Sequence, residues 1–115
     1  MTTSRSFTNP TACPVVHTVS MIGGRWKPII LHSLMDGQQR FSKLATHIPS
    51  ISPKILTEQL RALEVTGLVH TKQFANALPR TEYSLTEKGK SLLPIVTAMC
   101  DWGKAELRQE PGSAH

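Results

Sequence analysis

Long apolar runs are missing from this 115-residue chain. None approaches the ~18 residues that a membrane-spanning helix requires, so no membrane partner is expected. The N-terminal segment Met-Thr-Thr-Ser-Arg-Ser-Phe-Thr is polar and lacks the apolar stretch that directs secretion. Cysteine is scarce as well: Cys13 and Cys100 lie far apart and are too few for a disulfide framework or a metal cluster. The five histidines, His17, His32, His47, His70 and His115, show no metal-ligand spacing. No metal and no cofactor is therefore expected, and the location expected is cytoplasmic. Acidic residues are in the minority, 8 against 13 lysines and arginines, which gives a net charge of +5 and a pI near 9.6. That balance favours a polyanionic partner without proving one.

What is present fits one globular domain. Hydrophobic residues make up 39% and charged residues 18% of the chain, the composition of a folded rather than a disordered protein. The length suffices for a single modest core. No internal repeat or low-complexity segment is visible. The charge is unevenly placed. Residues 25–61 hold Arg25, Lys27, Arg40, Lys43, Lys54 and Arg61 against only Asp36 and Glu58. Residues 91–115 hold Lys104 and Arg108 against Asp101, Glu106 and Glu110. Positive charge thus gathers in the middle of the chain.

Residues 1–11 carry few apolar groups and read as a flexible tail, as do residues 109–115. A first helix is expected from Cys13-Pro14, since proline suits a first turn. Val15, Val16, Val19 and Ile22 recur on it at helical spacing, and Gly23-Gly24 stops it. A second helix follows from about Arg25 to Met35, with Trp26, Ile29, Ile30 and Leu34 facing inward and Pro28 in its first turn. Asp36-Gly37 marks a turn. Arg40-Phe41 allows only a short extended piece, after which Ser42 is a good N-cap for a third helix, Lys43 to Ile48. Pro49-Ser50-Ile51 interrupts the chain, and Ser52-Pro53 restarts it as cap and first-turn proline of a fourth helix that reaches about Thr66. Two short helices around a tight turn form a helix-turn-helix.

After Gly67 the period changes. Leu68 to Phe74 and Thr81 to Leu85 are rich in β-branched and aromatic residues, and the turn-prone Ala75 to Pro79 joins them as a β-hairpin, or wing. Thr86 caps a final helix with Glu87 in its first turn, and Pro94 should kink or restart it. The fold expected is mainly α with a small β-hairpin: a winged helix-turn-helix with an added helix at each end.

The fourth helix carries most of the functional information. At ~100° per residue, Leu56, Leu60 and Leu63 share one side, while Lys54, Glu58 and Arg61 lie opposite with Thr57 on the flank. A helix with a leucine edge and a basic, hydrogen-bonding edge suits the major groove of DNA. For a lone helix, a solvated amphipathic role would be the better reading; the neighbouring helix, turn and hairpin reverse that preference.

Several ordered motifs support this reading. They are Cys13-Pro14, Ile22-Gly-Gly-Arg-Trp-Lys27, Gly37-Gln-Gln-Arg-Phe41, the segment Ile51 to Glu64, Gly67-Leu-Val, and Pro79-Arg-Thr-Glu-Tyr-Ser-Leu-Thr-Glu-Lys-Gly89. Together they resemble the HxlR family of winged helix-turn-helix regulators over about residues 12 to 103. The resemblance implies a domain over 12–108, a dimer formed by the first and last helices, a recognition helix at 53–66 and a wing at 68–85. It also matches Arg80, placed at the hairpin tip, to the family's wing arginine. Such an arginine enters a minor groove or holds a phosphate; the plainer reading is an exposed loop charge.

The candidate DNA-contacting residues are Arg40, Ser42, Lys43, Ser52, Lys54, Thr57, Arg61 and Arg80. The candidate dimer interface comprises Val15, Val19, Leu92, Ile95, Val96, Met99 and Trp102, because the last helix carries more apolar surface than one small domain covers. Trp26 and Tyr83 read as packing, and Cys100 as a small hydrophobe. Cys13 precedes a helix, where the positive end of the dipole favours an anionic, reactive sulfur. The resemblance implies a candidate sensor of oxidants or electrophiles there, against an equal claim for a structural residue.

The function expected is that of a homodimeric, sequence-specific regulator on a palindromic operator in double-stranded DNA, a repressor or dual regulator, and not an enzyme. A winged helix devoted to protein contact would favour a neutral or acidic recognition face. A thiol enzyme would rest on Cys13 and His17 alone, with no visible oxyanion motif.

Overall fold

Proline and glycine set the ends of the first helices. The computed structural model describes residues 13–108; the tails expected over 1–11 and 109–115 lie outside them. Helix α1 (Pro14–Ile22) starts on Pro14, after an extended Cys13 at its N-cap. Of the two glycines that end it, Gly24 takes the left-handed conformation at φ +94, while Gly23 is extended. Helix α2 (Lys27–Ser33) is shorter than the Arg25–Met35 expected, with Pro28 in its first turn.

The inward face of α2 also differs from the one expected. Ile30, Leu31 and Leu34 are buried, whereas Ile29 is 42% exposed. With Ile30 at the centre of the buried face, Leu31 lies one step to one side and Leu34 one turn on. Ile29 falls on the other flank, where it borders a groove with Val96, Met99 and Cys100.

Strand β1 (Gln39–Arg40) leads directly into helix α3 (Phe41–His47). Ser42 is therefore not the cap: Arg40 occupies that position, without a side-chain cap bond. The cause is tertiary. Gln39 and Arg40 pair with a strand more than forty residues later, and Phe41 turns at once onto the core and onto the Tyr83 ring, at 6.4 Å between centroids. The turn after α3 passes through Ser50 at φ 71, a left-handed residue that is not glycine.

Helix α4 (Pro53–Val65) follows with the cap anticipated: the Ser52 hydroxyl accepts from the Ile55 amide at 3.1 Å. Such a cap stabilises a helix by ~1 kcal/mol. Leu56, Leu60 and Leu63 are 0%, 2% and 0% exposed. Burial of each contributes at most about 1.5–3 kcal/mol, so α4 is fixed by its leucine edge rather than by its termini.

The wing is β2 (Val69–Phe74) and β3 (Arg80–Leu85), antiparallel, with Val69 opposite Leu85 and Phe74 opposite Arg80. With β1 on the other edge of β3, the described strands form a three-stranded sheet in the order β1-β3-β2. One face of that sheet, carrying Val69 and Leu85, closes the core over α2, α3 and α4.

The final helix is two helices. Thr86 caps α5 (Glu87–Ser91) by accepting from the Gly89 amide at 3.0 Å, Leu92 breaks the run, and α6 (Leu93–Arg108) restarts with Pro94 in its first turn. No described helix is long and apolar enough to cross a membrane.

Candidate nucleic-acid interface

Because α4 buries its leucines, its opposite edge is committed to solvent. Ser52, Lys54, Thr57, Glu58 and Arg61 are all exposed on or beside that edge. Arg40, Ser42 and Lys43, from the β1–α3 junction, are exposed too. Arg40 and Lys43 line one polar depression with Gln38 and Glu82, and a second with Ser42, Thr46 and His47. The basic surface therefore runs from the first helix of the helix-turn-helix onto the wing.

Arg80 is placed differently from the expectation. The loop is 75–79, and Arg80 is the first residue of β3 rather than the hairpin tip. Its Nε donates to Glu82 Oε2 at 2.5 Å, its Nη1 donates to the Leu78 carbonyl at 3.1 Å, and the guanidinium lies 4.1 Å from the Phe74 ring centroid. It is a held side chain, not a loose loop charge.

Three contributors were not anticipated from sequence: Lys72, Phe74 and Glu82. Arg40 and Lys72 are the cross-strand partners of Glu82 on its two sides. Directly opposite residues share a face of a sheet, so this row lies on the side away from Val69 and Leu85. Gln38 also donates to Glu82. Hydrogen bonds from Arg80 and then Gln38, with the charges of Arg80 and Arg40, hold the Glu82 carboxyl below its usual range. The Lys72 ammonium lies 5.1 Å from the Phe74 ring centroid. Strand alternation alone could have grouped residues 72, 74, 80 and 82, but only once the register was known. Tyr83, on the other face, is half-buried; burial first, and the charge of Glu64 second, raise its phenol above the ordinary value.

The remaining sequence candidates divide between core and surface. Val96 is 3% exposed and belongs to the chain's own core, and Leu92 is half-buried against it. Val15, Val19, Ile95, Met99 and Trp102 are exposed. Val15, Val19, Ile95 and Met99 line one open apolar groove between α1 and α6. Cys13 is 4% exposed, and Cys100 is half-buried.

A helix-turn-helix followed by a wing, on a chain with these motifs, has relatives among known proteins. Residues 21–111 match the family described as HxlR-like helix-turn-helix. The chain belongs to the HxlR family. It is 48% identical over 92 residues to an uncharacterized HTH-type transcriptional regulator of Methanothermobacter thermautotrophicus, which covers 80% of this chain and 70% of that protein. Among solved structures it is similar to the redox regulator HypR. The reduced form matches at TM-score 0.79 and 40% identity over 90% of this chain and all of that one. The oxidized form matches at TM-score 0.77 and 45% identity over 81% of this chain and 96% of that one. This HxlR-family member is accordingly a winged helix-turn-helix transcriptional regulator and not an enzyme.

Proposed function

We propose that the protein binds a palindromic operator in double-stranded DNA as a homodimer, in the cytoplasm, as a repressor or dual regulator. The observation that carries this reading is the two-sided character of α4. Its leucines are buried, while Ser52, Lys54, Thr57 and Arg61 are held at the surface. In the major groove, Arg61 meets a guanine edge or a phosphate, and Ser52 and Lys54 meet phosphates near the helix N-terminus. Arg40, Ser42 and Lys43 lie against the flanking backbone, and Arg80 reaches the minor groove or its phosphates. The second subunit covers the apolar groove between α1 and α6 that Val15, Val19, Ile95 and Met99 line.

Cys13 is the position at which oxidants or electrophiles act on this dimer. Cys13 is the N-cap residue of α1, and the two residues after it, Pro14 and Val15, line the proposed subunit interface. The likeness to HypR, a redox regulator described in oxidized and reduced forms, supports the same reading. Its burial supports a packing role instead, and reactivity separates the two.

Selection of bound sequences from a pool of random duplexes tests the main proposal. A two-fold symmetric consensus is the result expected, with half-sites about one helical turn apart or a multiple of it. Recovery of no enriched duplex, with no measurable binding at low salt, would remove the DNA-binding reading.

A further inference from the structure

The outer face of the wing gathers three cations around one carboxylate. Arg40 and Lys72 flank Glu82 across the sheet, and Arg80 precedes it by two residues on the same strand face. The contacts are unequal. Arg80 Nε donates to Glu82 Oε2 at 2.5 Å, whereas Arg40 Nε stands 3.9 Å from the same oxygen. The Glu82 side chain is only 11% exposed, while that of Arg40 is 48% exposed. Glu82 is thus an inner counter-ion, and the cations form the rim. Gln38 closes the remaining side by donating to the carboxylate.

We propose that Glu82 is a positioning residue that sets the specificity of DNA binding. It holds Arg80 and Arg40 in the orientation that meets the DNA backbone and withholds one unit of positive charge from non-specific contact. This inference rests on the DNA-binding reading given above. Two features favour it over a simple surface ion pair. First, Arg80 is fixed from three directions: by Glu82, by the Leu78 carbonyl and by the Phe74 ring. Its Nε and Nη1 each donate within the wing, and the side chain keeps 24% of its surface exposed for an incoming phosphate oxygen. A guanidinium already ordered loses less freedom on binding than a free one. Second, Arg40 is shared. It lines the depression that contains Glu82 and the one that contains Ser42 and Lys43, so the carboxylate ties the wing's cations to those of α3.

The charge argument has a measurable consequence. Non-specific affinity rises with each phosphate neutralised, and its salt dependence steepens in proportion. Three cations around one anion present a net charge of two; removal of the anion restores the third. Glu82→Gln keeps the side chain's size and much of its hydrogen bonding. Per engaged subunit it should raise affinity for random duplex roughly fivefold at physiological salt and steepen the logarithmic salt slope by about one. Operator affinity should gain less, because the arginines are no longer held, and the operator-to-random ratio should fall at least threefold. Glu82→Asp keeps the charge but falls short of Arg80, so it should lower the ratio without steepening the slope.

The test is fluorescence anisotropy with the full chain over a salt series, using an operator selected by the wild type and a scrambled duplex of equal length. Circular dichroism melting verifies that each variant folds; should Glu82→Gln not fold, Glu82→Asp decides through the ratio. A slope and a ratio unchanged from wild type in the folded variants would overturn the role of Glu82. Absence of binding by the wild type to either duplex would instead overturn the DNA-binding reading.

Discussion

In the proposed major-groove complex, Arg61 is the residue on which recognition by α4 most directly depends. It is exposed about two and a half turns beyond the cap, opposite the buried edge of Leu56, Leu60 and Leu63. Arg61→Ala should cost roughly 1–3 kcal/mol of operator affinity if the guanidinium reads a base edge. If it meets only phosphate, the loss should be alike for operator and scrambled duplex, and the salt slope should shrink by about one. Unchanged affinity for both would take Arg61 out of the interface. Glu82 makes a second prediction at this scale, in acid. Arg80 and Gln38 depress its folded-state pKa below the ordinary 4.5. Its contribution to stability is therefore present above the unfolded value and is lost as pH falls through the folded one. Below about pH 4.5 the wild type should lose melting temperature faster than Glu82→Gln, which has no proton to take up. Parallel curves for the two proteins would show that the carboxylate is not coupled to folding.

Among the elements, the junction of wing and terminal helices is closely packed. Gly89, in α5, is buried against the start of β2: an added Cβ would run into the Leu68 carbonyl oxygen and come within 3.3 Å of Leu85 Cδ2. Backbone on one side leaves nothing flexible to yield. Gly89→Ala should destabilise by roughly 1–3 kcal/mol, the usual range for an overpacked site, read as a fall in melting temperature. A melting temperature equal to that of wild type would mean that α5 shifts freely. This contact was not legible in the sequence, because it depends on which strand lies beneath α5. The local features were. Helix α4, its Ser52 cap and its leucine edge follow from spacing alone, and so does the restart at Pro94. Most of what the local pattern misreads involves a distant partner. Ser42 looks like a cap until Gln39 and Arg40 pair with β3 and pull the helix start to Phe41. Ile29 looks like core until Leu31 takes the inward position. Arg80 looks like a loop charge until the register sets it opposite Phe74 and two residues from Glu82.

At the scale of the whole molecule, the proposed dimer rests on the exposed apolar surface of α1 and α6. Val15 and Trp102 are each 69% exposed, Val19 57%, Met99 48% and Ile95 43%. Charged residues in place of Ile95 and Met99 together should leave a folded monomer or an aggregate; sedimentation at micromolar concentration should give the wild type a dimer mass. A monomer mass for the wild type would end the dimer proposal.

In the proposed regulator, Cys13 connects that assembly to chemistry. The residue caps α1, with its carbonyl accepting from the His17 amide at 2.9 Å, and its side chain is buried. An oxidised or alkylated sulfur is bulkier than the buried thiol, so modification should displace the first turn of α1, which Cys13 caps. Val15 and Val19 lie on that same helix and border the groove facing Ile95 and Met99, so a displaced α1 alters the proposed subunit contact. Two recognition helices must stay in register with two major-groove segments, and a small reorientation forfeits one half-site. Treatment with an oxidant or a quinone should therefore change operator affinity in the wild type and leave Cys13→Ser unaffected. Mass spectrometry after iodoacetamide exposure at neutral pH shows whether Cys13 is the residue that reacts. A sulfur that stays unlabelled, or an adduct that leaves operator binding untouched, would assign Cys13 to packing and keep the DNA-binding reading intact.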